Sequence, residues 1–124
     1  PPAVWVVDFL DPAADGYAVA DLVVSRAGMM TVAEVCAWGL PSVLIPLPTA
    51  AADHQTKNAE AAAADGAAIH LPQTGLDTTR FAETLLGSLA DPALLARLRA
   101  AARRRGKPMA LATIIERLGA LARR

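Results

Sequence analysis

Four short apolar runs recur along the first part of the chain: Val4 to Phe9, Leu22 to Ser25, Ser42 to Pro46 and Ala67 to Leu71. Each is continuous rather than alternating, the pattern of a strand covered on both faces of a parallel sheet. Helical segments separate them, at Asp15 to Ala20, Thr31 to Trp38 and His54 to Asp65. Gly39-Leu40-Pro41 stops the second helix and Asp65-Gly66 the third, because glycine past a helix end accepts the left-handed conformation a stop requires. Strands alternating with helices predict right-handed crossovers and an open α/β sheet.

After Leu71 the pattern changes. A loop, Pro72 to Gly75, leads into three helical stretches: Thr78 to Ala90, Pro92 to Arg105, and Met109 to about Arg123. Asp91-Pro92 is a helix-start signal, with proline at the first helical position. Gly106-Lys107-Pro108 separates the last two. Leu94, Leu95 and Leu98, then Ile114, Ile115, Leu118 and Leu121, keep helical spacing and are expected to face the sheet or one another. Residues 1–124 thus read as one α/β domain, with 78–124 its helical carboxyl-terminal segment.

Composition adds limits. At 124 residues a single core is expected, and 54% hydrophobic content with few aromatics means a core of Val, Leu, Ile and Ala. No apolar run approaches the ~20 residues that cross a bilayer. The chain opens Pro1-Pro2-Ala3 and enters an apolar run at once, which leads us to expect a fragment with further strands upstream. The single cysteine, Cys36, leaves no internal disulfide, suits a reducing cytoplasm and cannot build a metal cluster. The net charge of zero hides an asymmetry. Residues 1–62 carry Arg26 and Lys57 against seven acids, whereas residues 63–124 carry ten basic and five acidic residues. The basic run, Arg97 to Lys107, reads as a solvated helix face. No aromatics are interleaved with it, so nucleic acid is not an expected partner.

Two stretches carry candidate chemistry. In the first, a strand ends at Ser25, a small-residue turn Arg26-Ala27-Gly28 follows, and a helix opens through Met29, Met30 and Thr31 toward Glu34. Ligands bind α/β sheets at this place, and the free N–H groups of a helix start favour a diphosphate. Gly28 permits close approach of the backbone. Glu34 could accept hydrogen bonds from ribose hydroxyls, but Thr31-x-x-Glu34 also fits a capping box. Arg26 could equally pair with Asp21. The second stretch is the loop Pro46 to Ala52 and the helix start Asp53-His54-Gln55-Thr56-Lys57-Asn58. Asp53 is the expected N-cap, and Gln55 and Asn58 carry the neutral donor–acceptor forks that sugar hydroxyls need. His54 and His70 lack an evident partner for acid–base catalysis. Neither a dinucleotide fingerprint, nor a P-loop, nor a nucleophile elbow occurs.

In order, the motifs are Ala20 to Gly28, Thr31-Val32-Ala33-Glu34, Gly39-Leu40-Pro41, Ile45-Pro46-Leu47-Pro48, His54-Gln55, Asn58-Ala59 and Asp65-Gly66-Ala67-Ala68. Together they resemble the carboxyl-terminal domain of the MurG-type transferases, glycosyltransferase family 28, across Val4 to Leu118. That resemblance implies a Rossmann-like half of a GT-B glycosyltransferase that binds UDP-N-acetylglucosamine and needs no cofactor. It implies inverting transfer of the sugar to an undecaprenyl-linked acceptor, lipid I, in peptidoglycan synthesis. By the same resemblance Glu34 would hold the ribose, and Met29, Met30 and Thr31 would lie along the nucleotide and diphosphate. Gln55 would contact the sugar with His54 and Asn58 beside it, and Arg26 would order the turn or approach the uracil. Acceptor site, catalytic base and peripheral membrane contact belong to the family's amino-terminal domain, so no turnover is expected of this chain alone. Met29-Met30 is bulkier than the family's usual pair. A donor-binding subunit of another two-part transferase, and a non-enzymatic helical binding module, stand as the alternatives.

Overall fold

The computed structural model describes residues 4–123. Its elements in chain order are α1 (Ala13–Val19), β1 (Val23–Ser25), α2 (Met29–Ala37), β2 (Ser42–Leu44), a 3-10 turn (Ala51–Asp53), α3 (His54–Ala64), β3 (Ile69–His70), α4 (Thr78–Leu89), α5 (Pro92–Arg105) and α6 (Ala110–Ala122). The strands form one parallel sheet in the order β1-β2-β3. Val23 stands opposite Ser42 and Ser25 opposite Leu44, while Val43 stands opposite Ile69. This is the expected α/β fold class, a Rossmann-like parallel sheet with flanking helices.

Sequential strand order places α2 and α3 on one face of the sheet, where they touch each other, and α5 packs against α2. The core between them consists mostly of alanine: Ala27, Ala59, Ala62, Ala67, Ala68, Ala101 and Ala102 join Val32, Cys36 and Leu44. Small side chains let helix and sheet approach closely. Two glycines extend this at the end of α2. Gly39 adopts φ 65°, and a Cβ there would strike the Arg103 stem. At Gly106 a Cβ would run into the Cys36 carbonyl, so the α5 terminus rests directly on backbone. Of the three strands only β2 is buried throughout; Val24 of β1 is 40% exposed on the opposite face.

Helix limits follow local chemistry. Asp77 accepts a hydrogen bond from the Arg80 N–H at 2.7 Å, and Asp91 accepts one from the Leu94 N–H at 2.9 Å with Pro92 at the first helical position. Gly66 closes α3 at φ 72°.

Four expectations are corrected. Val4 to Phe9 is not a strand. It pairs with nothing among the described residues, and Trp5, Val6 and Phe9 are 75%, 85% and 85% exposed. A strand exists only through a ladder with a neighbour, and hydropathy does not supply one. The apolar positions of α6 face neither the sheet nor one another: Leu111, Ile114, Ile115, Leu118 and Leu121 are all exposed. Thr31 does not cap α2. The helix begins two residues earlier, at Met29, so Thr31 lies inside it and the capping-box reading fails. Asp53 occupies the N-cap position of α3 without capping it. Its φ is 59°, and its carboxylate instead accepts from the Thr56 hydroxyl at 2.7 Å.

Candidate functional site

The carboxyl ends of the strands converge on the turn Arg26-Ala27-Gly28. Arg26 ties this turn to the rest of the sheet edge. Its Nη1 donates to the carbonyls of Ile45 and Pro46, both at 3.3 Å, and to Gln73 Oε1 beyond β3. The alternative pairing with Asp21 is absent; the one ion pair among the described residues joins Arg105 to Asp65. One guanidinium nitrogen therefore joins the ends of all three strands, the role of ordering the turn.

Two side chains of α3 hold the other side of the turn. Gln55 Oε1 accepts from the Ala27 N–H at 3.2 Å and from the Leu47 N–H at 2.9 Å. Asn58 Nδ2 donates to the Ala27 carbonyl at 2.9 Å. Both backbone groups of buried Ala27 are thereby satisfied from one helix, as burial demands. Each amide keeps a free half. Gln55 presents its NH2 as a donor, and Asn58 presents its Oδ1 as an acceptor. Both line a cleft of about 420 Å³, together with Gly28, Met29, Ala50, Ala51 and His54.

Gly28 is the N-cap of α2, with φ −60° and ψ 146°, and no side chain caps it. The first bond of the ladder runs from the Val32 N–H to the Gly28 carbonyl at 3.0 Å. The N–H groups of Met29, Met30 and Thr31 thus stand ahead of the ladder, at the positive end of the helix dipole. Met29 and Met30 are 75% and 70% exposed, so their side chains do not close the helix end into the core. Five residues on, Glu34 is exposed, with its Oε2 accepting from the Tyr17 hydroxyl at 3.2 Å. Burial first, then the hydrogen bond and the charge of Glu34, push the Tyr17 phenol above its ordinary value. The loop before α3 is strained: Ala52 and Asp53 both have positive φ, 50° and 59°, an arrangement that clusters at ligand sites.

A second cleft of about 500 Å³ adjoins the first through Met29 and Asn58 and runs between α2 and the α5–α6 junction. Lys107 and Cys36 line it. Burial pushes the Cys36 thiol up, Arg105 draws it partly back and Asp65 adds to the rise, so this sulfur remains a thiol. His70 is part-buried with its Nε2 unpartnered among the described residues, and it lies away from the α2 terminus, beside Pro46, Thr56 and Glu60.

Of the nine residues singled out from the sequence, the structure gathers Gly28, Met29, His54, Gln55 and Asn58 around one cleft. Met30, Thr31 and Glu34 follow on α2, and Arg26 lies under the turn. Two residues were not foreseen. Tyr17, the partner of Glu34, and Gln73, the partner of Arg26, are remote in sequence and carry no motif.

A parallel sheet with flanking helices and an uncapped helix start at the carboxyl edge of β1 is the arrangement of a Rossmann-like domain. The comparisons make this specific. The chain matches the Glycosyltransferase family 28 C-terminal domain over residues 2–117 and belongs to that family. It is 45% identical over 111 residues to the Pseudomonas putida UDP-N-acetylglucosamine–N-acetylmuramyl-(pentapeptide) pyrophosphoryl-undecaprenol N-acetylglucosamine transferase, covering 90% of this chain and 31% of that protein. The crystal structure of Acinetobacter baumannii MurG superimposes with a TM-score of 0.80 at 36% identity, covering 90% of this chain and 32% of that one. A glycotransferase of kitacinnamycin superimposes at 0.69 with 29% identity, over 94% of this chain and 30% of that one. The chain therefore spans about a third of the length of these relatives.

Proposed function

We propose that this chain is the donor-binding half of an inverting glycosyltransferase, that it binds UDP-N-acetylglucosamine, and that the whole enzyme transfers the sugar to lipid I in peptidoglycan synthesis. The observation that carries the reading is the α2 start. Three N–H groups project at the carboxyl edge of β1, and a carboxylate stands about 7.5 Å further along the same helix at 1.5 Å per residue. Diphosphate oxygens at the helix terminus and ribose hydroxyls on Glu34 fit that spacing. The sugar then reaches the cleft where Gln55 donates, Asn58 accepts and His54 stands at the rim. Met29 lines this cleft, and Arg26 holds the turn beneath the nucleotide.

The chemistry asked of this half is electrostatic. As the bond from anomeric carbon to diphosphate breaks, negative charge grows on the leaving oxygens, and fixed N–H dipoles stabilise it without reorganising. No cofactor enters this reading. The attacking hydroxyl is the acceptor's own; the site that holds the acceptor and the base that takes the hydroxyl's proton belong to the amino-terminal domain of such enzymes, at the cytoplasmic face of the membrane. No helix among the described residues is long and apolar enough to cross a membrane.

The test is a titration of UDP-N-acetylglucosamine into the chain, followed by amide NMR shifts. We expect shifts at residues 28–34 and 54–58, and roughly tenfold weaker binding in Glu34→Ala, the loss of a hydrogen-bonded charge. Shifts confined elsewhere, or unchanged affinity in the variant, would exclude this site.

A further inference from the structure

We infer that Tyr17 is a positioning residue for Glu34 and thereby sets the preference of the site for a ribonucleotide over a 2′-deoxyribonucleotide. The inference rests on the donor-site reading above and deepens it.

The geometry is as follows. Glu34 on α2 and Trp38 at its C-cap lie four residues apart and so share a face of that helix. Tyr17, from α1, sits against both. Its ring lies 6.1 Å from the Trp38 ring at an interplanar angle of 44°, within the range of tilted aromatic pairs. Its hydroxyl donates to Glu34 Oε2. No residue of α1 is fully buried; Tyr17 is part-buried, and its ring and hydroxyl are what this short helix brings against Trp38 and Glu34.

An exposed glutamate on a helix has several rotamers, and only some present both oxygens to a vicinal diol. One donor on Oε2 selects among them at little cost in acceptor capacity. A carboxylate offers about four lone-pair directions, and the tyrosine uses one. Oε1 and the remaining side of Oε2 stay free for two ribose hydroxyls. In this bond the phenol is the donor and the carboxylate oxygen the acceptor. The ring contact with Trp38 fixes where the hydroxyl is, so the carboxylate is oriented before ligand arrives and less ordering remains for binding.

The experiment compares UDP with 2′-deoxyuridine diphosphate by calorimetry, on the 124-residue chain and on Tyr17→Phe, Glu34→Ala and the double variant. Phenylalanine keeps the ring against Trp38, and thermal melting checks that the fold is unchanged. Wild type should prefer UDP. Tyr17→Phe should weaken UDP about three- to tenfold, as loss of a hydrogen bond to a charged group does, and weaken the deoxy ligand, which keeps only its 3′-hydroxyl for Glu34, by clearly less. In the Glu34→Ala background the tyrosine substitution should add nothing, the signature of one pathway. Equal weakening of both ligands would mean that Tyr17 only supports the fold. An unchanged preference in Tyr17→Phe would also overturn the inference. Failure of the underlying reading looks different, because wild type would then bind neither ligand or show no preference before any substitution is made.

Discussion

Helices α5 and α6 are neighbours in sequence, separated by Gly106, Lys107 and Pro108, yet they have opposite fates. α5 carries five arginines, and it buries Leu98, Ala101 and Ala102. α6 holds a stripe of Leu and Ile, has one acidic and one basic residue, and buries nothing. The more apolar helix is the exposed one. Within the described residues, α5 has a partner surface on α2 and the apolar stripe of α6 has none, so apolarity by itself does not say which helix is buried here. α5 reaches α2 at the point where Gly39 and Gly106 allow backbone contact, while α6 departs from the sheet after Pro108.

That contrast can be broken by substitution. Leu98→Ala should have the largest effect, about 2–4 kcal/mol of stability, because it opens a cavity between α5 and the helices beneath it. Urea unfolding measures this, and a loss under 1 kcal/mol would mean that the α5 interface is not part of the core. Gly106→Ala should come next. Its Cβ would meet the Cys36 and Ala37 backbone, which cannot move aside as a flexible side chain can, so about 1–3 kcal/mol is expected from overpacking. The smallest effect belongs to Ile115→Glu. The side chain is 60% exposed in the structure, so the chain's unfolding free energy should shift by less than about 0.5 kcal/mol. A large loss there would mean that α6 is covered in solution.

The site divides along a similar line. Gly28, Glu34, Gln55 and Asn58 could be singled out because each lies at, or within two turns of, a helix start that follows a strand end, and residue type plus spacing is local information. What each side chain does was less legible. Gln55 uses its oxygen on two backbone N–H groups, and Asn58 uses its amide nitrogen on the Ala27 carbonyl, so only half of each is left without a partner in the structure. Thr31 reads as a cap because its spacing to Glu34 permits one, but α2 begins at Met29 and Glu34 turns to Tyr17 instead. Partners 17 to 47 residues distant, such as Tyr17 for Glu34 and Gln73 for Arg26, leave no trace in a local pattern.

The sequence alone determined the alternation of strand and helix from Leu22 onward, the limits of α3 and α5, and the strand-end turn beside which the structure has a cleft. These rest on side-chain period, helix stop signals and the Asp91-Pro92 start, whose physics acts within a few residues. Only the tertiary structure decided that Val4 to Phe9 forms no strand, that α6 lies uncovered and that Arg26 joins three strand ends. Each is a question of which distant group is present to pair with, because a ladder, a buried face and a shared donor all need a second party that hydropathy does not name.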